Sequence, residues 1–204
     1  MNRKRIGIFG GSFNPIHFGH IRLARHIRKE AALDEVWFMV SPQNPLKQAR
    51  DLLPDDQRLD LVRQALADVP GLVACDYDFR LPRPSYTWNT LQSLSRDYPY
   101  HQFSLIIGGD NWKLFPRWYH AADILRNYQV VVYPRKMEGE KQMEGGESQM
   151  ADGEASKEEG RVVLVQAALL NVSSTMVRRR VRSGKSITGL VPPQIEAAVC
   201  RLYQ

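Results

Sequence analysis

Apolar residues along the chain gather into short runs, and longer amphipathic stretches separate them. Ile6-Gly7-Ile8-Phe9, Val36-Trp37-Phe38-Met39-Val40, Leu72-Val73-Ala74-Cys75, Phe103-Ser104-Leu105-Ile106-Ile107, Val130-Val131-Val132-Tyr133 and Val162-Val163-Leu164-Val165 each read as a buried strand. Between the first two, Ile21 to Ile27 repeats apolar residues at helical spacing. Residues 55–69 place Leu59, Val62, Leu66 and Val69 on one helical face, with Asp55 and Asp56 near its start and Arg58 as a surface residue. Trp88 opens a helix reaching about Tyr98, and Leu114 to Leu125 reads as a helix broken by Pro116. Ser173 or Ser174 caps a helix that Gly184 ends, and Pro192 or Pro193 starts a last one packing Ile195, Val199 and Leu202. Strand and helix alternate throughout. That order predicts an α/β fold, a doubly wound, mostly parallel sheet in a single domain spanning 1–204.

One segment breaks the pattern. Residues 136–160 lack any periodicity and carry eight acidic against three basic side chains, so they hold −5 of a net charge of +6 and leave +11 on the rest. Such a stretch cannot bury an apolar face and reads as a flexible surface insertion between neighbouring strands, with no inferred role. The basic remainder suits anionic partners. With no RNA-binding aromatic motif and no zinc pattern, small phosphorylated molecules are expected rather than nucleic acid. Cys75 and Cys200 stand far apart without metal-type spacing, and no apolar run reaches membrane-spanning or signal-peptide length. A cytoplasmic protein with no membrane partner is expected.

Candidate chemistry centres on Gly10-Gly11-Ser12-Phe13-Asn14-Pro15-Ile16-His17-Phe18-Gly19-His20, at a strand-to-helix junction. Glycines there let backbone N–H groups approach an anion, and the helix N-terminus adds its dipole. His17 and His20, three apart, can both face that anion. The glycines do not have the dinucleotide spacing, and no Gly-Lys-Ser/Thr follows, so neither common phosphate loop fits. Lys47 sits in the proline-bounded loop beyond the second strand, where parallel sheets place ligands. Ser85 or Thr87 is an N-cap or a polar contact, and Gly108-Gly109-Asp110 forms a second glycine turn. Trp118 and Tyr119 are core residues or a stacking platform. Ser173, Ser174 and Arg178 gather hydroxyls, free N–H groups and a guanidinium at one helix end, which suits a pyrophosphate.

The first of these motifs resembles the signature of the nucleotidyltransferase superfamily. Taken with Asn44-Pro45-Leu46-Lys47, Arg83-Pro84-Ser85-Tyr86-Thr87, Thr90-Leu91, Gly108-Gly109-Asp110, Trp118 and Ser173-Ser174-Thr175 with Arg178, the pattern resembles the bacterial-type nicotinate-nucleotide adenylyltransferases. Ser12 and Asn14 stand where that family commonly has Thr and Asp, and Leu46 where it more often has His. The resemblance implies a Rossmann-like enzyme that transfers the adenylyl group of ATP to nicotinate mononucleotide. It implies ATP contacts from Gly10, Gly11, Ser12, Phe13, His20, Ile107, Gly108, Asp110, Ser173, Ser174 and Arg178, with His17, His20, Lys47 and Arg178 acting in catalysis. Asn14, Lys47, Thr87, Trp118 and Tyr119 would meet the mononucleotide. Mg²⁺ would arrive with ATP, because no carboxylate cluster offers a dedicated cage. Alternatives are an adenylyltransferase preferring nicotinamide mononucleotide and a non-catalytic nucleotide-binding regulator. Assembly into a homo-oligomer stays open.

Overall fold

A computed structural model describes residues 3–42, 52–134, 161–167 and 170–204 of the chain. The apolar runs form six strands: β1 (Arg5–Gly11), β2 (Glu35–Val40), β3 (Leu72–Cys75), β4 (Gln102–Gly108), β5 (Gln129–Tyr133) and β6 (Val162–Leu164). They pair in the order β3-β2-β1-β4-β5-β6, and every pairing is parallel. The direction of winding reverses between β1 and β4. Open parallel sheets place ligands at such a switch point, outside the carboxyl ends of the strands.

Seven α-helices flank this sheet among the described residues: α1 (Phe18–Glu30), α2 (Asp55–Leu66), α3 (Thr87–Asp97), α4 (Gly109–Leu114), α5 (Ala121–Asn127), α6 (Ser174–Arg182) and α7 (Pro193–Tyr203). Side chains alternate across each strand and so build two cores. Phe9, Val36, Phe38, Ile106 and Val131 face one way and pack with Ile27, Val62, Val177 and Val199 of α1, α2, α6 and α7. Ile6, Ile8, Leu105, Val130 and Val132 face the other way, against Leu91 and Leu94 of α3 and Ile124 of α5. At Gly7 a Cβ would lie 2.6 Å from Ile106 Cδ1 and 2.7 Å from Leu33 Cδ1, so only glycine fits between sheet and connection. No helix among the described residues is long and apolar enough to cross a membrane.

Several expectations are corrected. The second helix stops at Leu66 rather than Val69, since Pro70 disfavours helical backbone before it and Gly71 turns at φ 77°. Arg58 is no surface residue; it is completely buried. Tyr86, not Ser85 or Thr87, occupies the cap position of α3, and it makes no side-chain cap bond. The second glycine turn is itself the start of a helix, α4. Leu114 to Leu125 is not one broken helix but the end of α4, a 3-10 turn (Phe115–Arg117) and α5, with His120 in the left-handed region at φ 56°. In α7, Ile195 and Val199 are buried and Leu202 packs half-buried against the core as expected, while Tyr203 adds a further buried position at four-residue spacing. The 136–160 segment lies outside the described residues, although the strands on either side of it, β5 and β6, are neighbours as expected.

Candidate active site

At the switch point the chain leaves β1 through Gly10 and Gly11. A Cβ on Gly10 would meet nothing within 4 Å, whereas one on Gly11 would sit 2.9 Å from the Phe13 ring. Phe13 adopts φ 44° and drives its ring into the core beside Phe9 and Phe38, at centroid distances of 5.7 and 5.2 Å. Any contact of Phe13 with a ligand therefore falls to its backbone. The carbonyls that follow are held from three directions. Arg58 Nη1 donates to Ser12 O (2.6 Å), Arg178 Nη1 to Asn14 O (2.7 Å) and Ser174 Oγ to Pro15 O (2.9 Å). Asn14 is itself buried, and its Oδ1 accepts from Tyr203 Oη at 2.7 Å and from the Leu53 N–H at 3.2 Å. Asn14, expected to meet the mononucleotide, thus has its side-chain oxygen bonded inside the fold.

His17 occupies the cap position of α1 with extended backbone, and His20 lies in its first turn. The His17 N–H donates to His20 Nδ1 at 3.3 Å. A neutral imidazole accepting at Nδ1 carries its proton on Nε2, so it presents a donor on its other edge. The two rings stack at 3.7 Å, 23° from parallel. Only 5% of His17 is exposed, so the histidines are unequal: one is largely buried and the other half-open. Gly19 permits the stack, because a Cβ there would fall 2.8 Å from His17 Nδ1.

Helix α6 closes the other side of the loop. Ser173 is its cap, accepting from the Met176 N–H at 3.1 Å, while Ser174 and Arg178 reach back to the loop carbonyls. Sequence-distant groups expected to share an anion are therefore in direct contact. A basic cavity of about 400 Å³ continues along α6, lined by Thr175, Arg178, Arg179, Arg182 and Ser183. On the adjacent strand β4, Ile107 is buried and Gly108 precedes α4. A Cβ on Gly108 would collide with Asp110 Oδ1 at 2.5 Å, so the glycine lets that carboxylate fold back over the strand end.

The expected acceptor residues sit around the start of α3 and the turn before α5. Thr87 is the first residue of α3. Trp118 is half-buried against Phe115, with ring centroids 5.4 Å apart. Tyr119 is 50% exposed, and its ring meets that of Tyr86 at 4.9 Å, which brings the two segments together. Lys47 lies outside the described residues. Sequence reasoning missed Arg58, Asp55, Tyr203 and Tyr86. For Arg58 the available signal was its position between Val62 and the Asp55 carboxylate on a helix otherwise apolar toward the sheet.

The cytidylyltransferase-like family model matches residues 8–180. Among curated proteins, the chain is 41% identical over 194 residues to the probable nicotinate-nucleotide adenylyltransferase of Bacteroides thetaiotaomicron, covering 95% of this chain and 90% of that one. It is 38% identical over 191 residues to the protein of the same name from Flavobacterium johnsoniae, covering 94% and 93%. Among solved structures, it matches Plasmodium falciparum nicotinic acid mononucleotide adenylyltransferase complexed with NaAD at a TM-score of 0.72. That match covers 98% of each chain at 16% identity, a likeness of fold.

Proposed function

The chain belongs to the cytidylyltransferase-like family, and on that premise we propose that it joins ATP and nicotinate mononucleotide to give deamido-NAD and pyrophosphate. The observation that carries this reading is the meeting of α6 with the β1 loop, where Ser174 and Arg178 bond the carbonyls of Pro15 and Asn14 beside the paired histidines. The close similarity to curated adenylyltransferases over nearly the whole chain supports the choice of substrates.

A phosphate oxygen of the mononucleotide attacks the α-phosphorus of ATP, the bond to the β-bridging oxygen breaks, and pyrophosphate leaves with that electron pair. The attacking phosphate is already anionic near neutral pH, so no base is needed. The protein's task is alignment and neutralisation of charge. His20 Nε2 donates to the α/β-phosphate region while Nδ1 is held by the His17 N–H. Arg178 and the N-terminus of α6, with Ser173 and Ser174, receive the departing pyrophosphate, and Lys47 neutralises the reacting phosphates. Gly10, Gly11, Ser12 and Phe13 meet the triphosphate through the backbone. Ile107 and Gly108 border the adenine, and Asp110 accepts from ribose hydroxyls. Trp118 stacks on the pyridine ring, with Thr87 and the backbone at Tyr119 at its carboxylate. Among the described residues no group of three or more His, Cys, Asp or Glu side chains could hold a metal. Magnesium enters as part of the MgATP substrate.

Pyrophosphate release from ATP with a panel of phosphate acceptors tests this. Nicotinate mononucleotide should give the highest kcat/KM. Equal or faster turnover of nicotinamide mononucleotide overturns the substrate assignment, and ATP binding without pyrophosphate release from either overturns the catalytic one.

A further inference from the structure

Beneath the β1 loop lies a cation the reaction described above does not use. Arg58 is 0% exposed, and its guanidinium reaches three separate pieces of chain. Nη1 donates to Ser12 O at 2.6 Å, Nε to Leu53 O at 3.0 Å and Nη2 to Asp55 Oδ1 at 2.6 Å. The other Asp55 oxygen accepts from Arg83 Nη2 at 2.9 Å, and Arg83 opens the segment leading to Thr87. The Leu53 N–H in turn bonds Asn14 Oδ1, so the loop and the approach to α2 are laced together.

We infer that Arg58 is a positioning residue for adenylyl transfer: it aims the loop's amide donors at the triphosphate and, through Asp55, ties the phosphate loop to the acceptor segment. The inference rests on the reading proposed above for the acceptor, but its first half needs only ATP. In a planar trans peptide the C=O and the next N–H point in opposite directions. A guanidinium holding Ser12 O from within the protein therefore turns the Phe13 N–H to the opposite side and polarises it as a donor. The job needs arginine, because three bonds in one plane match the guanidinium fork and not an ammonium. An apolar residue could fill the space, so the buried charge has a role beyond packing.

The test uses the full chain and three variants, each checked by circular dichroism and assayed below its melting temperature. Arg58→Lys keeps the charge and loses the fork. It should bind ATP roughly tenfold more weakly in calorimetry and lower kcat, because the loop donors are misplaced. Asp55→Asn should weaken ATP binding less while also raising KM for the mononucleotide. Arg83→Gln breaks only the exposed outer link, so it should raise that KM by about twofold to fivefold and leave ATP affinity unchanged. A folded Arg58→Lys protein that binds ATP like the parent overturns the inference. If that variant does not fold, Asp55→Asn decides, and parental ATP affinity there overturns it equally. An Arg83→Gln protein with unaltered mononucleotide KM removes the link to the acceptor. Should the parent fail to use nicotinate mononucleotide, the substrate reading falls while the ATP arm still judges Arg58.

Discussion

The two halves of the candidate site are built by different physics. On the proposed phosphate side, the backbone carbonyls of Ser12, Asn14 and Pro15 are gripped by Arg58, Arg178 and Ser174, and Tyr203 locks Asn14 from the far end of the chain. Nearly all of these groups are buried or half-buried, and each bond has a defined direction. On the acceptor side, Tyr86 and Tyr119 meet ring to ring with 41% and 50% of their surfaces exposed, and His120 bends the chain between short helical pieces. Charge recognition calls for fixed donors, because a misaimed N–H forfeits most of its interaction with a phosphate oxygen. A flat ring tolerates sliding along another ring's face, so its pocket does not need the same lacing.

That division can be broken by mutation. His20→Ala has the largest expected effect, a loss of about 10²–10³ in kcat from removing one aimed donor. Its melting temperature should stay near that of the parent, since the side chain is half-open. A comparable fall in stability would move His20 to the architecture instead. Trp118→Ala should raise KM for the mononucleotide roughly tenfold, the usual scale for lost stacking, while KM for ATP stays put. An ATP effect of equal size would erase the distinction between halves. Tyr203→Phe removes a buried hydrogen bond on the phosphate side and should cost about 1 kcal/mol in urea unfolding. A neutral outcome would mean that the Leu53 N–H alone suffices for Asn14.

The smallest effect lies behind the acceptor side, at Asp78. Burial lifts its carboxyl above the ordinary range, against the hydrogen bond from Thr90, which lowers it. A folded pKa above the unfolded one gives stability that is full below the unfolded value and lost as pH rises through the folded value. Asp78→Asn should therefore melt slightly higher than the parent at pH 7, with the gap closing as pH falls through the raised folded value and already closed below about 4. A lower melting temperature for the variant at pH 7 would show that the ionised carboxylate has a partner worth more than its desolvation.

Strand positions were legible because burial on both faces of a parallel sheet leaves unbroken apolar runs, and Phe103 to Ile107 became β4 almost residue for residue. The turn from β1 into α1 was legible because glycine and histidine spacing encodes local geometry. Arg58 was not. An arginine in a helix is usually solvated, and it takes the Ser12 and Leu53 carbonyls together with the Asp55 carboxylate to make its burial tolerable. The partners of Asn14 were equally hidden: Leu53 and Tyr203 come from elsewhere in the chain, and no local pattern announces them. Tyr203 was not foreseen beside Leu202, because its hydroxyl bonds a buried acceptor, which hydropathy cannot register.

The parallel register of β5 with β6, Val130 beside Val162, also constrains what lies between them. The chain leaves Tyr133 at the ligand end of the sheet and must re-enter at the opposite end. A parallel return of this kind requires about a dozen residues or more and cannot be made by a tight turn. Any connection from β5 to β6 therefore has a minimum length, which the 28 residues between Tyr133 and Val162 exceed. A deletion that left the connection shorter than that span would stop β6 from pairing with β5.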